Sequence, residues 1–241
     1  VSRPLVVAAH GTASPAGRRV VEDCAARAAA ALGVEHVVGF VDVCEPALSE
    51  VLIPHSVVVP LFLASGYHVR HDVPAAAALR PGVRVTPALG AHPAVVGALA
   101  DRLLDGATTT GAATTTQLRS CGGRIDGVVL ASAGSTQPAA RAEVERVATL
   151  LSLRVGVEVR VAYLSGPGPR IEQVCAAHHR AGRHRIAVAS HLLAPGVFLD
   201  RAARLAQEAG AVAVTGELGT HPAISDLVAA RYVAAVEGVA A

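Results

Sequence analysis

Short apolar runs alternate with alanine-rich amphipathic stretches along the whole chain. Leu5 to Ala9, Val34 to Val41, Ser56 to Phe62 and Val83 to Thr86 are short, rich in valine and bounded by glycine, proline or polar residues, and they read as strands. Ala16 to Leu32, Ala47 to Leu52, Val73 to Leu79 and His92 to Leu104 read as helices, with Ser14-Pro15 supplying an N-cap and a first helical residue. Strands that are apolar on both faces and alternate with helices belong to parallel βαβ units covered on both sides. The second half repeats the pattern from Asp126 onward. The expected fold is α/β, with two similar doubly wound parallel-sheet lobes and a cleft between them, at residues 1–105 and 125–241. The segment 106–124, with six threonines and no apolar period, is expected to be the linker.

The repeat is visible in the residues themselves. Thr86-Pro-Ala-Leu-Gly-Ala-His-Pro-Ala94 returns as Thr215-Gly-Glu-Leu-Gly-Thr-His-Pro-Ala223. The stretch from Ala8 to Pro15 aligns with Ala131 to Pro138, and Leu63-Ala-Ser-Gly66 with Leu193-Ala-Pro-Gly196. The offset grows between these matches, so the second half carries about seven extra residues near Ala176 to Arg185.

Composition narrows the function without identifying it. The 241 residues suffice for two lobes with cores of their own. Apolar residues make up 52% of the chain, but no unbroken apolar run is long enough to cross a bilayer, since Pro54, His55, Pro60 and Gly66 interrupt the longest candidate. A net charge of +2 argues against a dedicated nucleic-acid surface. No charged-then-apolar segment opens the chain, and cytoplasm is the expected compartment. Cys24, Cys44, Cys121 and Cys175 lack the spacing of a zinc or iron–sulfur site and read as free thiols.

An open parallel sheet places its ligand site at the carboxyl ends of its strands. There the first half carries His10, Glu45 and His68, whereas the second has Ala133, Gly168 and Phe198. Loss of all three polar groups from an otherwise matching copy favours a single asymmetric site. Glu45 has an alternative use, because a carboxylate before a helix also complements its dipole. His92 and His221 are kept in both halves, each before a proline at a helix start, and read as structural hydrogen-bonding groups. His71 reads as a solvated side chain, and His178, His179 and His184 as a solvent-exposed helix end in the inserted stretch.

His10-Gly-Thr, Glu45-Pro and the run Pro60-Leu-Phe-Leu-Ala-Ser-Gly-Tyr-His-Val-Arg-His-Asp-Val-Pro74 together resemble the sirohydrochlorin chelatases, class II chelatases that act on a reduced tetrapyrrole. The long run is the specific part, and the resemblance covers essentially the whole chain. It implies a lyase that inserts a divalent metal into sirohydrochlorin, with His10 as proton acceptor and metal ligand and His68 as second ligand. Glu45 and the loop of Leu63, Ala64, Ser65, Gly66, Tyr67 and His68 would contact the tetrapyrrole. The metal is then a substrate, with no permanently bound cofactor. Fe2+, giving sirohaem, is the expected ion, and Co2+, leading toward cobalamin, is the alternative. His71 stands where an acidic residue is expected, and the cysteine motif that would argue for an iron–sulfur cluster is missing. A monomer is expected to suffice, without nucleic-acid or membrane partners. Two other readings compete. A non-catalytic metal or tetrapyrrole carrier would need the same ligands. A histidine phosphatase would need an arginine where Ala9 stands.

Overall fold

The computed structural model describes residues 3–104 and 125–238. The expected linker and Cys121 lie outside the described residues. The chain divides into two compact units, one formed by Val1–Gly90 with Gly219–Ala241 and the other by Ala91–Leu218.

The first unit contains β1 (Leu5–Ala9), α1 (Pro15–Leu32), β2 (His36–Phe40), α2 (Leu48–Val51), β3 (Val57–Pro60), α3 (Tyr67–Arg70), α4 (Asp72–Ala77) and β4 (Arg84–Val85). Its last helix is α9 (Pro222–Glu237), from the far end of the chain. The strands are parallel in the order β2-β1-β3-β4. β1 and β3 are buried throughout, which is why their sequences show no polar alternation. Burying each valine or leucine there contributes about 1.5–3 kcal/mol. Helix α1 begins as expected, with Pro15 in the first turn and the Ser14 hydroxyl accepting from Gly17 N at 3.2 Å. It turns Val21, Cys24, Ala25, Ala28 and Ala29 inward, and small alanines let it lie close to its neighbours.

The second unit repeats the plan with α5 (Pro93–Leu104), β5 (Gly127–Ser132), α6 (Pro138–Val155), β6 (Val159–Tyr163), α7 (Ile171–Arg180), β7 (Ile186–His191), α8 (Val197–Glu208) and β8 (Ala213–Val214). Its parallel strands run β6-β5-β7-β8, the same topology as the first sheet. The fold class expected from the sequence is therefore the one observed, as two doubly wound lobes.

Two expectations are corrected, and the compact units divide the chain differently from the repeats expected at 1–105 and 125–241. Helix α5, expected in the first lobe, belongs to the second unit, where it packs on α6 and β7; α9 belongs to the first, on α1 and β3. An apolar helix face fixes that the helix is buried but not against which sheet. The helix expected at Val73–Leu79 is preceded by a separate turn, α3, and the break falls at His71. Pro74 explains it, since its ring lacks an N–H and crowds the carbonyl four residues back, that of Arg70. Finally, the inserted residues lengthen α7 to ten residues against four in α2, and they bury His178 completely. Its Nε2 lies 3.1 Å from Val128 O on β5, so it is an internal helix-to-strand bridge and not a solvated end. Burial lowers its pKa. Only His179 and His184 stay toward solvent, with rings stacked 5.9 Å apart.

Among the described residues Cys24, Cys44 and Cys175 are free, and burial pushes the Cys24 thiol up to about 11. No described helix is long and apolar enough to cross a membrane.

Candidate metal centre

In the strand order β2-β1-β3-β4 the chain leaves β1 toward one side and returns on the other, and ligands gather where that reversal opens the strand ends. His10 follows β1 directly. Beyond the last strand residues, backbone bonds continue the β1–β2 ladder, with Val41 N donating to Ala9 O at 2.9 Å and Asp42 N to His10 O at 3.0 Å. This extension carries Asp42 to the side of His10. Gly11 makes the approach feasible. Its φ is +100°, and a Cβ there would lie 2.1 Å from Asp42 O.

His68 arrives from the third strand end, in the short helix α3. Among the described residues, His10, Asp42 and His68 form the one group of three whose ligand atoms all lie within 4.8 Å of one another. The two imidazoles stand edge to face, with centroids 4.8 Å apart and planes at 86°. Phe62 lies roughly parallel to the His68 ring at 6.5 Å and flanks it with an apolar side chain. His68 Nδ1 is 2.6 Å from Asp72 Oδ2. An ionised carboxylate can only accept, so Nδ1 carries a proton, and in a neutral ring that leaves the lone pair on Nε2. Asp42 holds its own loop through Oδ1, which accepts from Val43 N at 2.7 Å, and this leaves Oδ2 available. His10 and Asp42 are exposed and His68 half-buried, so the trio is reachable from solvent.

The sequence reading brought two of these three together and put a different carboxylate beside them. Glu45 is engaged elsewhere: its Oε2 accepts from Ala47 N at 2.8 Å at the start of α2, the helix-end use noted for such a residue. Asp42 was missed. Strand register would have found it, because Ala9 pairs with Phe40 and two further steps in parallel set Asp42 opposite Gly11. In the expected contact loop, Leu63 points into the core, Ala64, Ser65 and Gly66 are half-buried, and Tyr67 is 54% exposed. Tyr67 lies against His71, with centroids 4.5 Å apart, and His71 is outside the ligand group. His92 and His221 do serve structure, each accepting through Nδ1 from the backbone N–H two residues on, at 3.1 and 3.2 Å.

The second unit keeps the frame without the ligands. Gly134 repeats Gly11, with φ +103° and a Cβ position 2.1 Å from Ser165 O. At the place of Asp42 stands Ser165, whose hydroxyl donates to Ala133 O at 2.6 Å. Phe198 takes the place of His68, and no comparable trio is found among the described residues.

Two neutral imidazoles and a carboxylate suit Fe, Co, Ni or Zn and cover only part of a coordination sphere. The remaining positions are left to water or to an incoming ligand.

The chain is similar to known proteins over most of its length. A family model described as CbiX matches residues 4–106 and 127–235. A sirohydrochlorin cobaltochelatase from Methanopyrus kandleri is 36% identical over 85 residues, covering 32% of this chain; the chain thus spans 59% of that relative's length. Among solved structures, SirB from Bacillus subtilis with Fe3+ superposes with a TM-score of 0.77 at 22% identity, covering 99% of this chain and 98% of that one. SirB from Bacillus subtilis subspecies spizizenii in complex with cobalt gives 0.75 at 20%, covering 99% and 97%. CbiX, described as the terminal enzyme for siroheme biosynthesis in denitrifying bacteria, gives 0.66 at 20%, covering 97% and 99%. At these identities the structural matches establish the shared two-lobed fold.

Proposed function

The chain belongs to the CbiX family, and from the ligand trio at its first sheet we propose that it is a sirohydrochlorin chelatase, inserting a divalent metal ion into sirohydrochlorin. The observation that carries this reading is the convergence of His10, Asp42 and His68 from three strand ends onto one exposed point. A buried, fully ligated ion would suit a structural metal; an exposed, partly ligated one suits an ion that must be handed on.

The chemistry follows from charge balance. A dication enters the macrocycle and two pyrrole N–H protons leave it. The trio takes the hydrated ion and strips part of its water, with the His68 and Asp42 side chains held in position by Asp72 and Val43 N. As the ion passes to the macrocycle nitrogens, the imidazole nitrogens it vacates are free to accept the displaced protons. His10, exposed at the end of β1, is the first acceptor. The half-exposed Tyr67 ring and the backbone of Ala64, Ser65 and Gly66 offer the macrocycle a face beside the ligands, supported from below by the buried Leu63. Glu45 acts by holding the start of α2 and thereby the Asp42 loop.

The metal is substrate, not resident cofactor. Fe2+ is the first assignment. Co2+ is the second, favoured by the name of the Methanopyrus kandleri relative. One chain carries both copies of the fold, so a monomer suffices, and its three described cysteines, all free thiols, fit the reducing cytoplasm. Anaerobic incubation of catalytic amounts of protein with Fe2+ or Co2+ and excess sirohydrochlorin, followed by absorption spectroscopy, tests the proposal. Many turnovers per chain are expected, at a specific activity independent of protein concentration. A single stoichiometric burst would identify a carrier instead.

A further inference from the structure

We propose that Asp72 is a positioning residue: it fixes the tautomer and orientation of the His68 ring so that Nε2 faces the metal. The proposal rests on reading His10, Asp42 and His68 as the ligands. His68 Nδ1 lies 2.6 Å from Asp72 Oδ2, the shortest hydrogen bond made by any of the three ligand side chains. A metal-binding imidazole commonly donates its second N–H to a carboxylate, which sets the ring angle and makes the ligating nitrogen more basic. Here the ring so held stands at 86° to His10, with edges rather than faces converging. His10 itself has a much weaker restraint, its Nδ1 being 3.3 Å from Gly11 O.

The duplicated unit supplies an independent control. Gly66 and Gly196 both cap the helix that follows them, so His68 corresponds to Phe198 and Asp72 to Ala202. The carboxylate and the imidazole are thus lost together. In that copy the helix is continuous from Val197 to Glu208 and Ala202 is buried inside it. In the first unit Pro74 breaks the helix between the two groups, and Asp72 remains 39% exposed, in the first turn of α4. A surface carboxylate needs no imidazole partner to be stable there, so the pairing is best explained by what it does to His68.

The test uses the full-length chain and Co2+ alone, so it does not depend on sirohydrochlorin turnover. Asp72→Ala should fold, since the equivalent place in the second unit is already alanine, and circular dichroism with a thermal melt checks this. Its Co2+ affinity, read from visible d–d absorption, should fall about tenfold to a hundredfold. In nitrogen-15 spectra of the metal-free protein the His68 signature should move away from the Nδ1–H tautomer, a change that a merely structural role would not produce. Asp72→Asn keeps an acceptor oxygen and should retain both the tautomer and most of the affinity. Wild-type Co2+ binding by Asp72→Ala, an unmoved tautomer, or an Asp72→Asn variant as impaired as Asp72→Ala would each overturn the proposal. Should wild type bind Co2+ at His10 and His68 yet never metallate sirohydrochlorin, the chelatase reading falls while the positioning role stands.

Discussion

His10, Asp42 and His68 differ in how plainly the sequence marks them, and in what each should do when changed. Removing the His10 imidazole opens no core cavity, because the side chain is exposed. His10→Ala is therefore expected to abolish metal insertion while stability stays within about 0.5 kcal/mol of wild type, as measured by urea unfolding beside the anaerobic assay. The two carboxylates make a sharper comparison. Asp42→Asn should lower Co2+ affinity by at least about tenfold, the scale on which even a ligand's supporting hydrogen bonds act. Glu45→Gln, whose carboxylate instead meets Ala47 N, should bind Co2+ within about twofold of wild type by the same spectroscopic titration. Equal losses in the two variants would mean that Glu45 either reaches the ion or sets the Asp42 loop so firmly that Gln cannot replace it. The histidines were legible because a repeat with one depleted copy acts as its own control. Asp42 was not, because its significance lies in a backbone ladder that runs past the end of a strand, and residue type alone favoured the acid next to a proline.

Among the elements, β7 and α7 carry histidines whose surroundings the sequence did not disclose. His191 ends β7 and is buried, with Nδ1 3.3 Å from Ser132 Oγ on β5. Burial pushes its pKa down to about 4, against roughly 6.5 in an unfolded chain. The folded state therefore disfavours the proton. Stability from this site is fully present above about pH 6.5, and about 3 kcal/mol is lost as the pH falls toward 4. His191→Gln should flatten that part of the stability profile, as read from denaturant midpoints between about pH 7 and 4. An unchanged slope would assign the acid sensitivity to other groups. Helix and strand positions in the first unit were largely readable, because buried parallel strands announce themselves as valine runs between turn residues. The interior place of His178 was not, because a histidine in a basic stretch looks the same whether its helix ends in water or extends over a strand.

For the whole molecule, the division into units matters more than the division into repeats. A fragment of residues 1–105 would keep α5 with nothing of the second unit to pack on, and would lack α9, whose Ile224, Leu227, Val228 and Tyr232 are buried. At about 1.5–3 kcal/mol per side chain that loss rivals the entire stability of a domain, about 5–15 kcal/mol. The fragment is expected to show no cooperative melt, whereas a polypeptide joining residues 1–90 to 219–241 should melt cooperatively and bind Co2+. A folded 1–105 would show that the repeat, not the compact unit, is the folding unit. Both sheets were foreseeable from the sequence, and the helix exchange was not: α5 turns Val95, Val96 and Leu99 inward, a pattern that would suit either sheet equally.

The same exchange sets an order on synthesis. Residues 91–218 leave the ribosome as one uninterrupted segment, so the second unit has all its parts while the chain is still growing. The unit with the ligands begins first and is completed later, when α9 emerges to cover β3 and α1. His10, Asp42 and His68 are all translated early, yet the sheet that holds them in register waits for that helix. A nascent chain stalled short of α9 thus carries the three side chains without the frame that converges them, and the metal capture proposed for them arises only after the other unit has been made.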